Sequence, residues 1–272
     1  MTSSLSTQRR TLRLASVVMG FAGVHAALAQ DARPAGGTLE EIVVTAQKRV
    51  ESLHDVPISI SVLTGDSVAS YGYTEMRDLD RLIPNVSIGK SAASDGVSIR
   101  GIGSPAGSLT VEQSVALFVD GVYGGRAHQF QQPFLDLERI EVLRGPQGGL
   151  AGKNTMAGAI NVITKSPSDQ FEAQLTAAHE FELNGYELTA VLSGPLSDRF
   201  RARIAAKYEE TEGWMKNPIY NDKEEPFVDT FLVRATGVFD ASDNVTVTAK
   251  IGYSKVDETG CFYETKGPDD PL

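Results

Sequence analysis

The residues that could do chemistry set the first limits on this sequence. Gly148-Gly149-Leu150-Ala151-Gly152-Lys153-Asn154 has the look of a phosphate-cradling loop. It fails on counting: the glycine required five positions before Gly152 is Gln147, and Asn154 stands where Ser or Thr must be. Gly101-Ile102-Gly103 imitates a dinucleotide turn, but Pro105 and Gly107 follow where a helix should open. Of the histidines, His25 lies in an apolar leader, and His54, His128 and His179 stand far apart, so none has the spacing of a metal ligand. Cys261 has no histidine nearby, which argues against an activated thiol, and one cysteine excludes an internal disulfide framework or a multi-cysteine metal site. No acid, base and nucleophile converge. The expectation is a protein that is not an enzyme and holds no metal and no cofactor.

The elements that could carry another kind of function begin with the leader. Arg9, Arg10 and Arg13 precede an apolar run from Leu14 to Leu28, and Ala27-Leu28-Ala29 forms a small-x-small cleavage pattern. Residues 1–29 therefore read as a signal peptide, too short for an ordinary spanning helix. The formal charge of the chain is −10, and removing three arginines with no acid leaves −13. Without a Lys/Arg block, such a chain does not suit nucleic acid.

Three zones follow the leader. Residues 30–50 read as a flexible segment carrying one β-favouring run, Glu41-Ile42-Val43-Val44-Thr45-Ala46. That run suits pairing with another protein's sheet edge, or serves equally well as the first strand of the next domain. Residues 51–167 read as a mixed α+β domain. Strands are expected at 57–63, 86–88, 97–100, 115–119, 140–143 and 159–164, and helices at 66–71 and 75–83, the second stopped by Pro84. From residue 168 onward the pattern changes to long antiparallel strands of period two. Phe171, Ala173, Leu175, Ala177, His179, Phe181 and Leu183 alternate with Glu172, Gln174, Thr176, Ala178, Glu180 and Glu182. Asn184-Gly185 then signals a hairpin. Further strands run over 186–193, 200–209, 230–240 and 245–253, with turns at 194–198 and 240–244. Their length suits a membrane barrel better than a β-sandwich, with Arg199, Arg201, Arg203 and Lys207 facing a polar lumen and the aliphatic face in lipid.

Taken in order, these features resemble the N-terminal part of a TonB-dependent outer-membrane receptor, over essentially all of the sequence after the leader. Glu41–Ala46 is similar to the TonB box. Ile99-Arg100-Gly101 and Val119-Asp120-Gly121-Val122-Tyr123 are similar to plug motifs. The longest match is Ile140-Glu141-Val142-Leu143-Arg144-Gly145-Pro146-Gln147-Gly148, followed by Gly152-Lys153-Asn154-Thr155 and Ala157-Gly158-Ala159-Ile160-Asn161. Gly149 and Ala151 depart from the bulkier residues usual there.

The resemblance implies a plug domain inside a 22-stranded barrel, with an exposed TonB box pairing with periplasmic TonB while ExbB and ExbD relay the energy that displaces the plug. It implies uptake of a scarce nutrient across the outer membrane, most often a ferric-siderophore-type complex. Arg144-Gly145-Pro146 is expected to be a structural turn, and Arg100, Glu141 and Arg144 to tie the plug to the barrel wall by charge pairs. Two other readings stand beside it, a free-standing periplasmic binding module and a TonB-linked signal transducer. Five strands over residues 171–253 cannot close a barrel, and 22 would take roughly 370 residues. The expectation is a fragment that does not transport alone.

Overall fold

The computed structural model describes residues 43–44, 51–52, 58–91, 94–108, 110–217 and 223–259. The leader, most of the 30–50 segment, His54 and Cys261 lie outside the described residues.

Two short strands, β1 (Val43–Val44) and β2 (Glu51–Ser52), pair antiparallel. Then β3 (Ser59–Thr64) runs into α1 (Gly65–Ser70). Thr64 caps this helix, its hydroxyl accepting from the amide of Ser67 at 3.2 Å, and Asp66 lies in the first turn, where a carboxylate suits the helix dipole. The helix expected over 75–83 divides into a 3-10 turn, Met76–Asp78, and a one-turn α2 (Leu79–Leu82). The division has a local cause: the Asp78 carboxylate accepts from the amides of Thr74 and Glu75 at 3.1 and 3.2 Å and fixes a cap inside the expected helix.

A small antiparallel sheet follows, of β4 (Val86–Gly89), β5 (Gly96–Ile99) and β6 (Ile102–Gly103). The central sheet is completed by β7 (Val115–Val119), β8 (Val122–Gly124), β9 (Leu137–Arg144) and β10 (Gly158–Thr164), with a 3-10 turn over Ala127–Gln131 and α3 (Gly148–Ala151) between strands. Its order is β3-β9-β10-β7-β8, antiparallel except for the β10–β7 pair. One face carries the main core: Leu117, Leu137, Ile140, Val142, Ile160 and Val162 pack against Val68, Met76, Leu79, Ile83 and Phe130. Each such side chain contributes about 1.5–3 kcal/mol by leaving water.

The second zone is one sheet, β11 (Glu172–Glu180), β12 (Gly185–Ser197), β13 (Phe200–Thr211), β16 (Phe227–Ser242) and β17 (Val245–Thr259), each strand antiparallel to the next. A small hairpin, β14 (Met215–Asn217) with β15 (Lys223–Glu225), lies in the long connection. The sheet is open among the described residues, with β11 and β17 at its edges.

Several boundaries differ from the sequence reading: β17 runs on to Thr259 and β16 starts at Phe227, and two others have a local cause. β11 stops at Glu180 rather than Leu183, because the Glu180 carboxylate accepts from the amides of Glu182 (2.9 Å) and Leu183 (2.5 Å) and turns the chain. β12 continues past the turn expected at Gly194-Pro195, because a bulge between Pro195 and Ser197 accommodates the missing proline N–H.

Alternation holds along β12, β13, β16 and β17. The outward face carries Leu188, Leu192, Ile204, Val247 and Ile251, all exposed, together with an upper row of Tyr186, Tyr208, Phe231 and Tyr253 and a lower row of Phe171, Phe200 and Phe239. From Phe231 to Phe239 is about 27 Å along the strand, the scale of an apolar band bordered by aromatic girdles. His179 belongs to the upper row, stacked 4.5 Å from Tyr186.

A β-carbon at Gly65 would stand 2.0 Å from the carbonyl oxygen of Leu137, so Gly65→Val should destabilise the first domain by about 3 kcal/mol, read from a denaturant midpoint. Ile204→Lys, at mid-height of the outward face, should weaken the sheet in micelles by about 2–4 kcal/mol, seen as a lower unfolding midpoint.

Candidate functional site

The box strand comes first. Val43 and Val44 pair with Ser52 and Glu51, and Val44 is completely enclosed. It packs on the second face of the central sheet with Ala116, Leu143 and Ala159, flanked by Ile58, Ile60, Val62, Phe118 and Tyr123. An exposed box was expected, and Val44 corrects this at its own position. A β-branched apolar residue beside an uncovered apolar sheet face gains about 1.5–3 kcal/mol by covering it. Glu41, Ile42, Thr45 and Ala46 lie outside the described residues.

The motif residues build turns. Arg100 and Gly101 (φ 54° and 78°) join β5 to β6, and Asp120 and Gly121 (φ 49° and 80°) join β7 to β8. Both pairs have the two positive φ angles of a tight hairpin turn. Gly145 (φ 104°) donates its amide to the carbonyl of Ala157 at 2.9 Å, and Gln147 donates to Thr155 at 3.0 Å, so the two ends of the 145–157 segment are tied together. Pro146 and Gly148 are exposed there.

The charge pairs expected between Arg100, Glu141, Arg144 and the wall take other partners. The Arg100 guanidinium donates to the Ser59 hydroxyl (3.2 Å) and that of Arg144 to Ser61 (2.7 Å), both on β3. Glu141, fully buried, accepts from Arg139 Nε (2.9 Å) and Asn161 Nδ2 (3.4 Å). The register explains this: Arg144 stands opposite Ser59, and Glu141 opposite both Asn161 and Val62, so each side chain projects along its own sheet.

The bonds to the wall come from elsewhere. Asp136, in a left-handed turn (φ 52°) before β9, is held by both sides of the Arg203 fork at 2.7 Å each. Arg203 also donates to Glu172 at 3.1 Å. Arg234 donates to the carbonyls of Leu135 (2.5 Å) and Asp136 (3.1 Å). Leu135 sits among Val191, Ala205 and Leu232. Lys250 reaches Asp120 (2.9 Å) and Thr164 (3.0 Å), while Asp120 also accepts from the amide and hydroxyl of Thr164. Farther along β17, Lys90 pairs with Glu258 at 2.7 Å; burial pushes the Lys90 ammonium down, against the raising effect of that bond. A cavity of about 280 Å³ remains between the domain and the wall, lined by Leu117, Phe134, Leu232 and Gly252 among others.

Sequence reasoning named Asp120 as a motif residue and Arg203 as lumen-facing and set Arg234 on the polar face of its strand, but it gave no role to Asp136 or Arg234. The available signal was arginine on the inward face of a strand, which demands an acid from whatever fills the space inside.

A folded α+β domain seated on the charged face of a membrane-type antiparallel wall defines the class: a plug within a β-barrel. Residues 52–159 match the family model described as TonB-dependent Receptor Plug Domain. Over 200 residues the chain is 30% identical to the iron-regulated outer membrane virulence protein of Vibrio cholerae, covering 70% of this chain and 30% of that protein. It is 30% identical over 160 residues to the pesticin receptor of Yersinia pestis, covering 58% of this chain and 23% of that one. The crystal structure of the ferric yersiniabactin uptake receptor from Yersinia pestis shares the fold, with a TM-score of 0.66 at 24% identity over 72% of this chain and 31% of that one. Residues 52–159 are thus a TonB-dependent receptor plug domain, and the chain spans less than a third of the length of these relatives.

Val44→Asp would place a carboxylate in an apolar seat. It should speed limited proteolysis between residues 41 and 58 by about tenfold while the core sheet stays folded.

Proposed function

We propose that this chain is the N-terminal part of a receptor that imports a scarce nutrient through the outer membrane, a ferric-siderophore-type complex, with the plug gating the barrel. The observation that carries this reading is the seating of a plug domain on the lumen face of the wall through Asp136, Arg203 and Arg234. A domain held there closes the passage until it moves. The likeness to the ferric yersiniabactin uptake receptor of Yersinia pestis supports the substrate class.

On this reading residues 1–29 are a cleaved signal peptide, 30–50 carry the TonB box, 51–167 form the plug, and 168–272 are the first wall strands. Glu41–Ala46 would be the strand that TonB takes, with ExbB and ExbD as the energy relay. Strand addition uses main-chain hydrogen bonds, so it transmits pull with little side-chain detail. Val44 must leave its seat for that pairing to form. Arg100, Gly101, Asp120, Gly121, Glu141, Arg144, Gly145, Pro146, Gly148 and Asn161 would hold the plug fold rather than contact cargo.

The test is binding of the purified periplasmic domain of TonB to this chain in micelles, read by calorimetry, beside fractionation of cells producing it. Binding is expected, with the chain in the outer-membrane fraction. Val43→Pro should weaken binding at least about tenfold by removing one strand donor. A chain found soluble in the periplasm and unable to bind TonB would overturn the reading.

A further inference from the structure

The bonds between plug and wall are unequal. Lys90–Glu258 and Gln132–Ser254 are single contacts. The group around Asp136 and Asp120 is of another kind. Arg203 is 5% exposed and shares both prongs with Asp136; Glu172 takes a further N–H of the same guanidinium. Lys250 joins Asp120 to the end of β10. With Arg234, 3.9 Å from Asp136, three acids meet three bases, and every one of them lies within residues 120–250. The group is complete without any strand beyond β17.

We propose that Asp136, with Asp120, seats the plug on β12–β17 before and without closure of a barrel, so that these first wall strands are the template on which this edge of the plug takes its position. The sequence separations, 67 residues for Asp136–Arg203 and 86 for Thr164–Lys250, keep the required loop closures modest beside those of a finished wall. The inward face of β13 supplies the drive. Without Asp136, Arg203 keeps only Glu172, which is largely exposed, and the notch formed by Val191, Ala205 and Leu232 loses Leu135. Strand and plug therefore complete one another. Asp136 and Asp120 are positioning residues, and the inference needs neither cargo nor TonB.

Amide hydrogen exchange of the 272-residue chain refolded in micelles tests it. The amides of Thr164 and Lys165, which donate to Asp120 Oδ1 and to the carbonyl of Asp136, and those of residues 134–137 should be protected together with the amides of β12, β13 and β16. Asp136→Asn should speed exchange in 134–137 by about tenfold while β4 and β5 stay unchanged, the mark of a seat lost rather than a fold lost. Asp120→Asn should do the same to 160–165, and gives the answer if the first variant does not refold.

Protected wall strands with unprotected 134–137 and 160–165 would overturn the proposal and leave the receptor reading standing. Equal acceleration of every plug segment by Asp136→Asn would also overturn it. Wall strands without protection would remove the seat and the membrane-wall reading together.

Discussion

A sheet that meets an apolar solvent on one face and a folded domain on the other has one governing constraint: consecutive side chains must alternate between the two environments without a slip. β12, β13, β16 and β17 obey it over most of their length, and their mutual register places Tyr208 level with Leu188 and Phe231. One residue of slippage would turn Arg203 and Lys207 outward and Ile204 toward the plug. Everything else in the molecule, from the position of Asp136 to the aromatic rows, follows from that phase being kept.

The wall was legible in the sequence because alternation is local. Its strands were placed, but their ends were not: β17 runs six residues past the expected end, the Glu180 carboxylate ends β11 early, and a bulge lets β12 pass Pro195. The plug strands were legible for the same reason, whereas 75–83 was not, because a side-chain cap at Asp78 competes with helix periodicity. What remained hidden was long-range pairing. Nothing near Asp136 signals that its partner lies 67 residues away on a strand face, and nothing near Arg144 signals that Ser61 will stand beside it. The 22 strands implied by the family likeness are likewise not countable from five.

Several motif residues bond within the plug itself, while Asp120 also reaches the wall through Lys250. Arg100 and Arg144 bind two serines of one edge strand, and Asp120-Gly121 and Arg100-Gly101 supply the positive φ angles that hairpins need. The box strand adds a restraint of its own: Val44 shares a sheet face with Leu143 and Ala159, so access to it is coupled to the exposure of that face. A motif can thus be read correctly as a family signature while its chemistry is that of a scaffold.

The distribution of acids and bases has an electrostatic consequence. Lys207 is neutralised within the wall itself, by Glu187 and Glu209, and Arg201 by Asp240 together with Asp169 of the approach to β11. Arg203, Arg234 and Lys250 take their acids from the plug, Glu172 excepted. Taken by itself, the wall sets these three cations against Glu172 and, farther along β17, the Glu258 that Lys90 balances from the plug. Around Arg203, Arg234 and Lys250 the wall therefore carries a positive excess of its own, and Asp136 and Asp120 are the countercharge that makes the plug its electrostatic complement.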